Sequence, residues 1–212
     1  MIIRRAFDEI FRTWSNVAVI RAILDTSVGS TGNEVARTAG MDPRAAINAL
    51  SRLEELGIVH RQRGGRDHIF TLNRNHYLVV KAIVPLFKTE KIFYDEVTSA
   101  IDKALGSNVV SIVLFGSVAQ GNETAQSDFD ICCIVKNEDQ KEKVQAILNN
   151  LSSKFHKRFG IKLAPIFFIK DEFIRKAKNR NRLVNQIIES GKLITGKKPK
   201  ITNPWLSVDL GS

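Results

Sequence analysis

The chain is poor in the residues that staple small scaffolds together: its 212 residues include two cysteines, five prolines, two methionines, two tryptophans and two tyrosines. The cysteines, Cys132 and Cys133, are sequence neighbours. On a strand they would point to opposite faces, so they offer neither a disulfide framework nor a metal-ligand spacing. No apolar run approaches the ~20 residues that a membrane-spanning helix needs. The start meets Asp8 and Glu9 where a secretion signal would continue apolar. These absences set the expectation of a soluble, cytoplasmic protein with no membrane partner. Internal repeats and low-complexity stretches are missing too. Lysine does not occur in residues 1–80, which carry 11 Arg and eight acidic residues, whereas residues 81–212 carry 21 basic and 14 acidic residues. Two modules of roughly 100 residues each fit this break. The net charge of +10 favours polyanionic partners such as DNA, RNA or nucleotide phosphates.

In the first module, Val17, Val19, Ile20, Ile23 and Leu24 recur at helical spacing from Asn16 to Leu24, and the stretch from Asp25 to Gly32 ends the pattern. Thr31 with Glu34 three residues later is a capping-box signal for a short second helix ending at Gly40. Asp42 suits the N-cap and Pro43 the first position of a third helix, whose stripe Ile47, Leu50, Leu53 and Leu56 is expected to be core before Gly57 stops it. Residues 58–63 and 66–72, either side of Gly64-Gly65, read as a β-hairpin. Helix, short helix, tight turn, longer helix and basic hairpin together resemble the winged-helix transcription regulators from about Asn16 to Leu72. The resemblance implies that the third helix enters the major groove of DNA and that the hairpin is the wing. Its DNA-contacting candidates are Arg44, Asn48, Ser51 and Arg52 on the helix and Arg61, Arg63 and Arg66 on the wing, residue types able to reach base edges or phosphates. An ordinary solvated helix face, or a winged helix used for dimerisation or protein docking, remains the competing reading.

In the second module, the β-branched run Val109 to Phe115 delivers Gly116-Ser117 into a polar loop that ends at Gly121-Asn122. Ser127-Asp128-Phe129-Asp130 then leads into a second apolar run, Ile131 to Val135. Side chains two apart on a strand share a face, so Asp128 and Asp130 present paired carboxylates while Phe129 and Ile131 pack on the other side. Two carboxylates held together repel, which makes a hard divalent cation their natural partner.

Strand, Gly-Ser, ten intervening residues, Asp-x-Asp and strand resemble the signature of the DNA polymerase β-like nucleotidyltransferase superfamily, particularly its minimal members. The resemblance implies that Gly116 and Ser117 bind the phosphates of an NTP and that Asp128 and Asp130 bind Mg²⁺ and are catalytic. Two positions depart from the family. The third carboxylate usually comes from a later strand, and the strand expected after the helix Glu138 to Phe159, Ile161 to Phe168, contains no acid. Asp171 and Glu172 follow, where they suit the start of the next helix. Gln120 stands where many relatives have a basic residue.

The expected fold class is α+β: an N-terminal winged helix-turn-helix (1–80), a helical connector (81–106) in which Pro85 ends or kinks a helix, a C-terminal α/β nucleotidyltransferase domain with a small mixed sheet (107–200), and a tail (201–212). Residues 151–200 hold 14 Lys and Arg against three acids, either a solvated helical face or a surface for an anionic substrate. Three functions compete. The first is transfer of a nucleoside monophosphate from an NTP to a hydroxyl of an unidentified acceptor, protein and RNA among the candidates, coupled to a DNA-binding winged helix. The second is a DNA-binding regulator with a degenerate transferase domain that senses nucleotide or docks a partner. The third is an antitoxin-like transferase that modifies a partner protein. A homodimer is compatible with each.

Overall fold

The computed structural model describes residues 4–65, 67–203 and 207–209. Arg66, one of the wing candidates, lies outside the described residues. The chain divides into two compact units, Met1–Phe93 and Tyr94–Ser212.

The first unit runs α1 (Ala6–Ile10), α2 (Trp14–Ile23), β1 (Ser30–Thr31), α3 (Gly32–Ala39), α4 (Pro43–Glu55), β2 (Val59–Gly64) and β3 (Asp67–Leu72). Local chemistry sets the helix starts. The Thr31 hydroxyl accepts from the Glu34 N–H while the Glu34 carboxylate accepts from the Thr31 N–H, a reciprocal capping box. The Asp42 carboxylate accepts from the N–H groups of Arg44 and Ala45, with Pro43 at the first helical position. β3 pairs antiparallel with β1 on one side and β2 on the other. Gly64 still pairs with Asp67, so the hairpin turn starts at Gly65, one residue later than the Gly-Gly pair suggests.

The core stripe of α4 differs from expectation by about one position. Ala46, Ala49, Leu50 and Leu53 are fully buried, whereas Ile47 is 43% exposed. Residues 46, 49, 50 and 53 follow the i, i+3, i+4, i+7 rule, whereas 47, 50, 53 and 56 step by three throughout and drift around the helix. The two alanines let α4 approach its neighbours closely and turn Ile47 outward. Leu53→Ala is therefore expected to cost about 2–5 kcal/mol, read as a drop in the denaturation midpoint with an unchanged slope. An unchanged midpoint would show that Leu53 is not core.

Pro85 does not break the helix. A π-helical turn, Val79–Ile83, precedes it and leads directly into α5 (Val84–Leu105). Proline lacks an N–H and its ring collides with the carbonyl four residues back, and the wider turn just before it accommodates both defects. Ile83 and Phe87 belong to the core of the first unit, and Val97, Ile101 and Leu105 to that of the second.

The second unit is built on a four-stranded mixed sheet. Its elements after α5 are β4 (Ser111–Leu114), α6 (Gly116–Gln120), β5 (Phe129–Val135), α7 (Glu138–Phe159), β6 (Leu163–Ile169), α8 (Lys170–Lys178), α9 (Arg182–Ser190) and β7 (Lys192–Gly196). A short antiparallel pair follows, β8 (Lys200–Asn203) with β9 (Ser207–Asp209). The sheet order is β6-β5-β4-β7, with β5 parallel to β6 and the other pairs antiparallel. Strand alternation gives each face its own core. Ile112, Leu114, Ile131, Cys133 and Val135 pack with Val97 and Ile101 of α5 and Val144 and Leu148 of α7. Val113, Cys132, Ile134 and Phe168 pack with Phe173 of α8 and Val184 and Ile187 of α9. The neighbouring cysteines thus enter opposite cores, and burial pushes the Cys133 thiol up to about 12, which leaves it an inert packing group.

Candidate active site

β4 ends at the site. The N–H of Phe115 donates to the carbonyl of Asp130 at 3.0 Å, which ties the turn after β4 to β5. Gly116 follows with φ 73°, and a β-carbon there would collide with Asp130 Oδ2. Only glycine meets both demands, a left-handed backbone and no side chain between turn and carboxylate. Residues 116–120 form the short helix α6 rather than the loop expected from sequence, and its first turn has no side-chain cap. No hydrogen-bond partner engages the Ser117 hydroxyl among the described residues. The segment ends where Gly121 and Asn122 donate back to the carbonyls of Val118 and Ser117.

The return to β5 is also ordered. The Thr124 N–H donates to Ser127 Oγ at 2.9 Å and the Ser127 N–H donates to the Thr124 carbonyl at 3.0 Å. Asp128 stands just before β5 and Asp130 is its second residue, both half-buried, while Phe129 and Ile131 enter the opposite core. Burial, and secondarily the negative charge of Asp128, hold the Asp130 carboxyl above the usual carboxylate range. Lys162 Nζ lies 3.2 Å from Asp128 Oδ2. The donor set fits a hard divalent cation: two half-buried carboxylates two residues apart, close enough that the charge of Asp128 acts on Asp130.

A fold that raises a carboxyl's pKa prefers its neutral form, so this contribution to stability is intact below the ordinary pKa and is lost as pH rises through the raised one. Asp130→Asn is therefore expected to leave the metal-free protein at least as stable as wild type at neutral pH. Thermal melts at pH 7 in chelator check this, and a clear drop in Tm would mean that the charged form is needed for folding.

Residues 99–200 match the family described as "Polymerase beta, Nucleotidyltransferase". The second unit carries a nucleotidyltransferase-family domain. A second comparison gives 33% identity over 73 residues to the "Putative protein adenylyltransferase MJ1305" of Methanocaldococcus jannaschii, covering 34% of this chain and 50% of that protein. The chain thus spans about half the length of the relative it matches.

In this nucleotidyltransferase domain no third carboxylate joins the pair among the described residues. The parallel register sets Ala164 beside Asp130 and Ile166 beside Cys132, so β6 offers apolar side chains on that face. Asp171 and Glu172, the sequence candidates to complete the site, occupy the first turn of α8. That helix starts after Ile169, which pairs with Val135, five residues and about 17 Å along the strand from Asp130. Glu172 is instead paired with Lys176. Among the described residues no group of three or more His, Cys, Asp or Glu is placed to hold a metal. Lys162 is the site residue that sequence reasoning missed. Its signal was its place one residue before a strand whose register sets it beside Asp128.

In the first unit, Arg44, Asn48, Arg61 and Arg63 are exposed and Ser51 is half-buried. Arg61 also pairs with Glu54 at 3.1 Å. Arg52 does not share the free face expected for it. Its guanidinium donates to Asn16 Oδ1 at 3.1 Å, Ser15 Oγ at 3.2 Å and Thr13 Oγ1 at 3.4 Å. Asn16 is itself fully buried and donates to the carbonyl of Ile10, so Arg52 ties α4 to the start of α2.

Proposed function

We propose that the protein transfers a nucleoside monophosphate from an NTP to an acceptor hydroxyl, through Gly116, Ser117, Asp128 and Asp130, and binds DNA through its first unit. The observation that supports the catalytic part is the closeness of the Gly116 backbone to the Asp130 carboxylate, so that the proposed phosphate-binding turn adjoins the proposed metal ligands. Gly116 lets a phosphate approach the backbone, and the Ser117 hydroxyl donates to a phosphate oxygen. Asp128 and Asp130 would hold Mg²⁺, which when bound neutralises phosphate charge and lowers the pKa of an attacking hydroxyl. The tight turn from Thr124 to Ser127 fixes the approach of Asp128. Incubation with each labelled NTP, Mg²⁺ and separate protein, RNA and DNA acceptors tests the transfer. Label appearing on none of them would remove the enzymatic reading. The name of the half-matching relative points to a protein hydroxyl as the first acceptor to try.

A second reading rests on the apolar residues that β6 sets on that face, Ala164 beside Asp130 and Ile166 beside Cys132: a regulator whose transferase domain binds nucleotide or a partner without turnover, an antitoxin-like role included. It predicts nucleotide binding with no transfer.

The helix–strand–helix–helix–hairpin order of the first unit supports the winged-helix reading. Arg44 and Asn48 on α4, with Arg61 and Arg63 on the hairpin, are the proposed DNA contacts, and Arg66 joins them by sequence. Replacing Arg61, Arg63 and Arg66 together by alanine should weaken DNA binding and reduce the slope of log K against log salt by about 0.9 for each phosphate that is no longer neutralised. Equal binding and slope for variant and wild type, measured on a genomic fragment library at several salt concentrations, would sink the DNA-binding proposal. The exposed cations Arg175, Lys178, Arg180 and Arg182, which make no ion pair among the described residues, are the proposed surface for an anionic acceptor.

A further inference from the structure

We infer that Lys162 supplies, at this site, the positive charge that a second divalent ion would bring, so that the site holds one metal ion rather than two. The inference rests on the metal-site reading above and concerns a residue that reading does not use.

Three observations converge. The register of β5 with β6 sets Phe129 against Leu163, and the Phe129 N–H donates to the Lys162 carbonyl at 2.8 Å. The backbone of Lys162 is thereby held next to that of Asp128, whatever its long side chain does. The side chain then closes the remaining distance, with Nζ 3.2 Å from Asp128 Oδ2. Finally, the positions where the adjacent strand could bring a third carboxylate to Asp130 are Ala164 and Ile166.

Charge decides the consequence. Three carboxylates would offer three negative charges, enough to hold two divalent ions together with a nucleotide's phosphates. Two carboxylates and one ammonium offer a net single negative charge. Mg²⁺ keeps several waters and takes one or two carboxylates plus phosphate oxygens, so one ion is satisfied by this set. A second ion would have to sit near the ammonium with no carboxylate of its own, and like charges that close repel. Lys162 thus acts as a positioning residue for Asp128 and fixes the metal count.

Mn²⁺ binding to the full chain, counted by the loss of free-ion electron paramagnetic resonance signal in the presence of a non-hydrolysable NTP, tests this without turnover. The expected counts are one ion per chain for wild type and for Lys162→Arg, and two for Lys162→Glu, which puts a third carboxylate in the ammonium's place. Lys162→Ala should bind its single ion more tightly by about two- to fivefold, the span over which removing an exposed ion pair moves an equilibrium. Two ions on the wild type would overturn the inference, as would one ion on a folded Lys162→Glu. The wild-type count decides the question even if that variant does not fold. Asp128→Asn with Asp130→Asn serves as the control: if it still binds Mn²⁺, the carboxylates are not the metal site and the underlying reading fails, irrespective of Lys162.

Discussion

Gly116→Ala is expected to lower stability and abolish Mg²⁺-nucleotide binding together. Two costs add at this position. The φ of 73° costs an L-residue about 1–2 kcal/mol. The new methyl collides with Asp130 Oδ2, so either the turn after β4 or the carboxylate must move. The turn resists, because the Phe115 N–H is bonded to the Asp130 carbonyl and so couples it to the strand. Moving the carboxylate destroys the proposed metal ligand. Asp130→Ala in the Gly116→Ala background separates the costs: it should recover part of the lost stability, since the collision is gone, and none of the nucleotide binding. Wild-type binding by Gly116→Ala would show that the glycine serves the turn alone.

Much of this arrangement was legible in the sequence because the deciding interactions are local. The capping box of Thr31 and Glu34, the Asp42-Pro43 start of α4 and the bounds of α7, Glu138–Phe159, depend on residues within one helical turn of one another. The same holds for the alternation that sends Phe129 and Ile131 inward while Asp130 stays on the other face. What sequence could not supply needed long-range partners. Ile47 reads as core by helical period, yet Ala46 and Ala49 take the contact because small residues allow the closer approach. Arg52 reads as a free cation until the buried Asn16 of α2 is placed beside it. Asp171 and Glu172 follow the site closely in sequence but stand a strand's length away, since β6 must run its full course before α8 begins. Lys162 became a site residue only through the pairing register of two strands far apart in sequence.

The largest expected loss of function belongs to the carboxylate pair. Asp128→Asn with Asp130→Asn keeps the shape of both side chains and removes both charges, so the fold should persist while the attraction for a divalent ion disappears. Protonation should mimic this in part: Asp130 is held above the usual carboxylate range by burial and by Asp128, and metal-dependent binding should weaken as pH falls through that raised pKa. Titration calorimetry of a non-hydrolysable NTP with Mg²⁺ into wild type and into the double variant, at pH 7 and fixed salt, is the most direct test of the account. It predicts saturable binding by wild type that requires Mg²⁺ and no measurable heat with Asp128→Asn/Asp130→Asn. Equal affinity for the two proteins would contradict the assignment of Asp128 and Asp130 as the metal-holding pair.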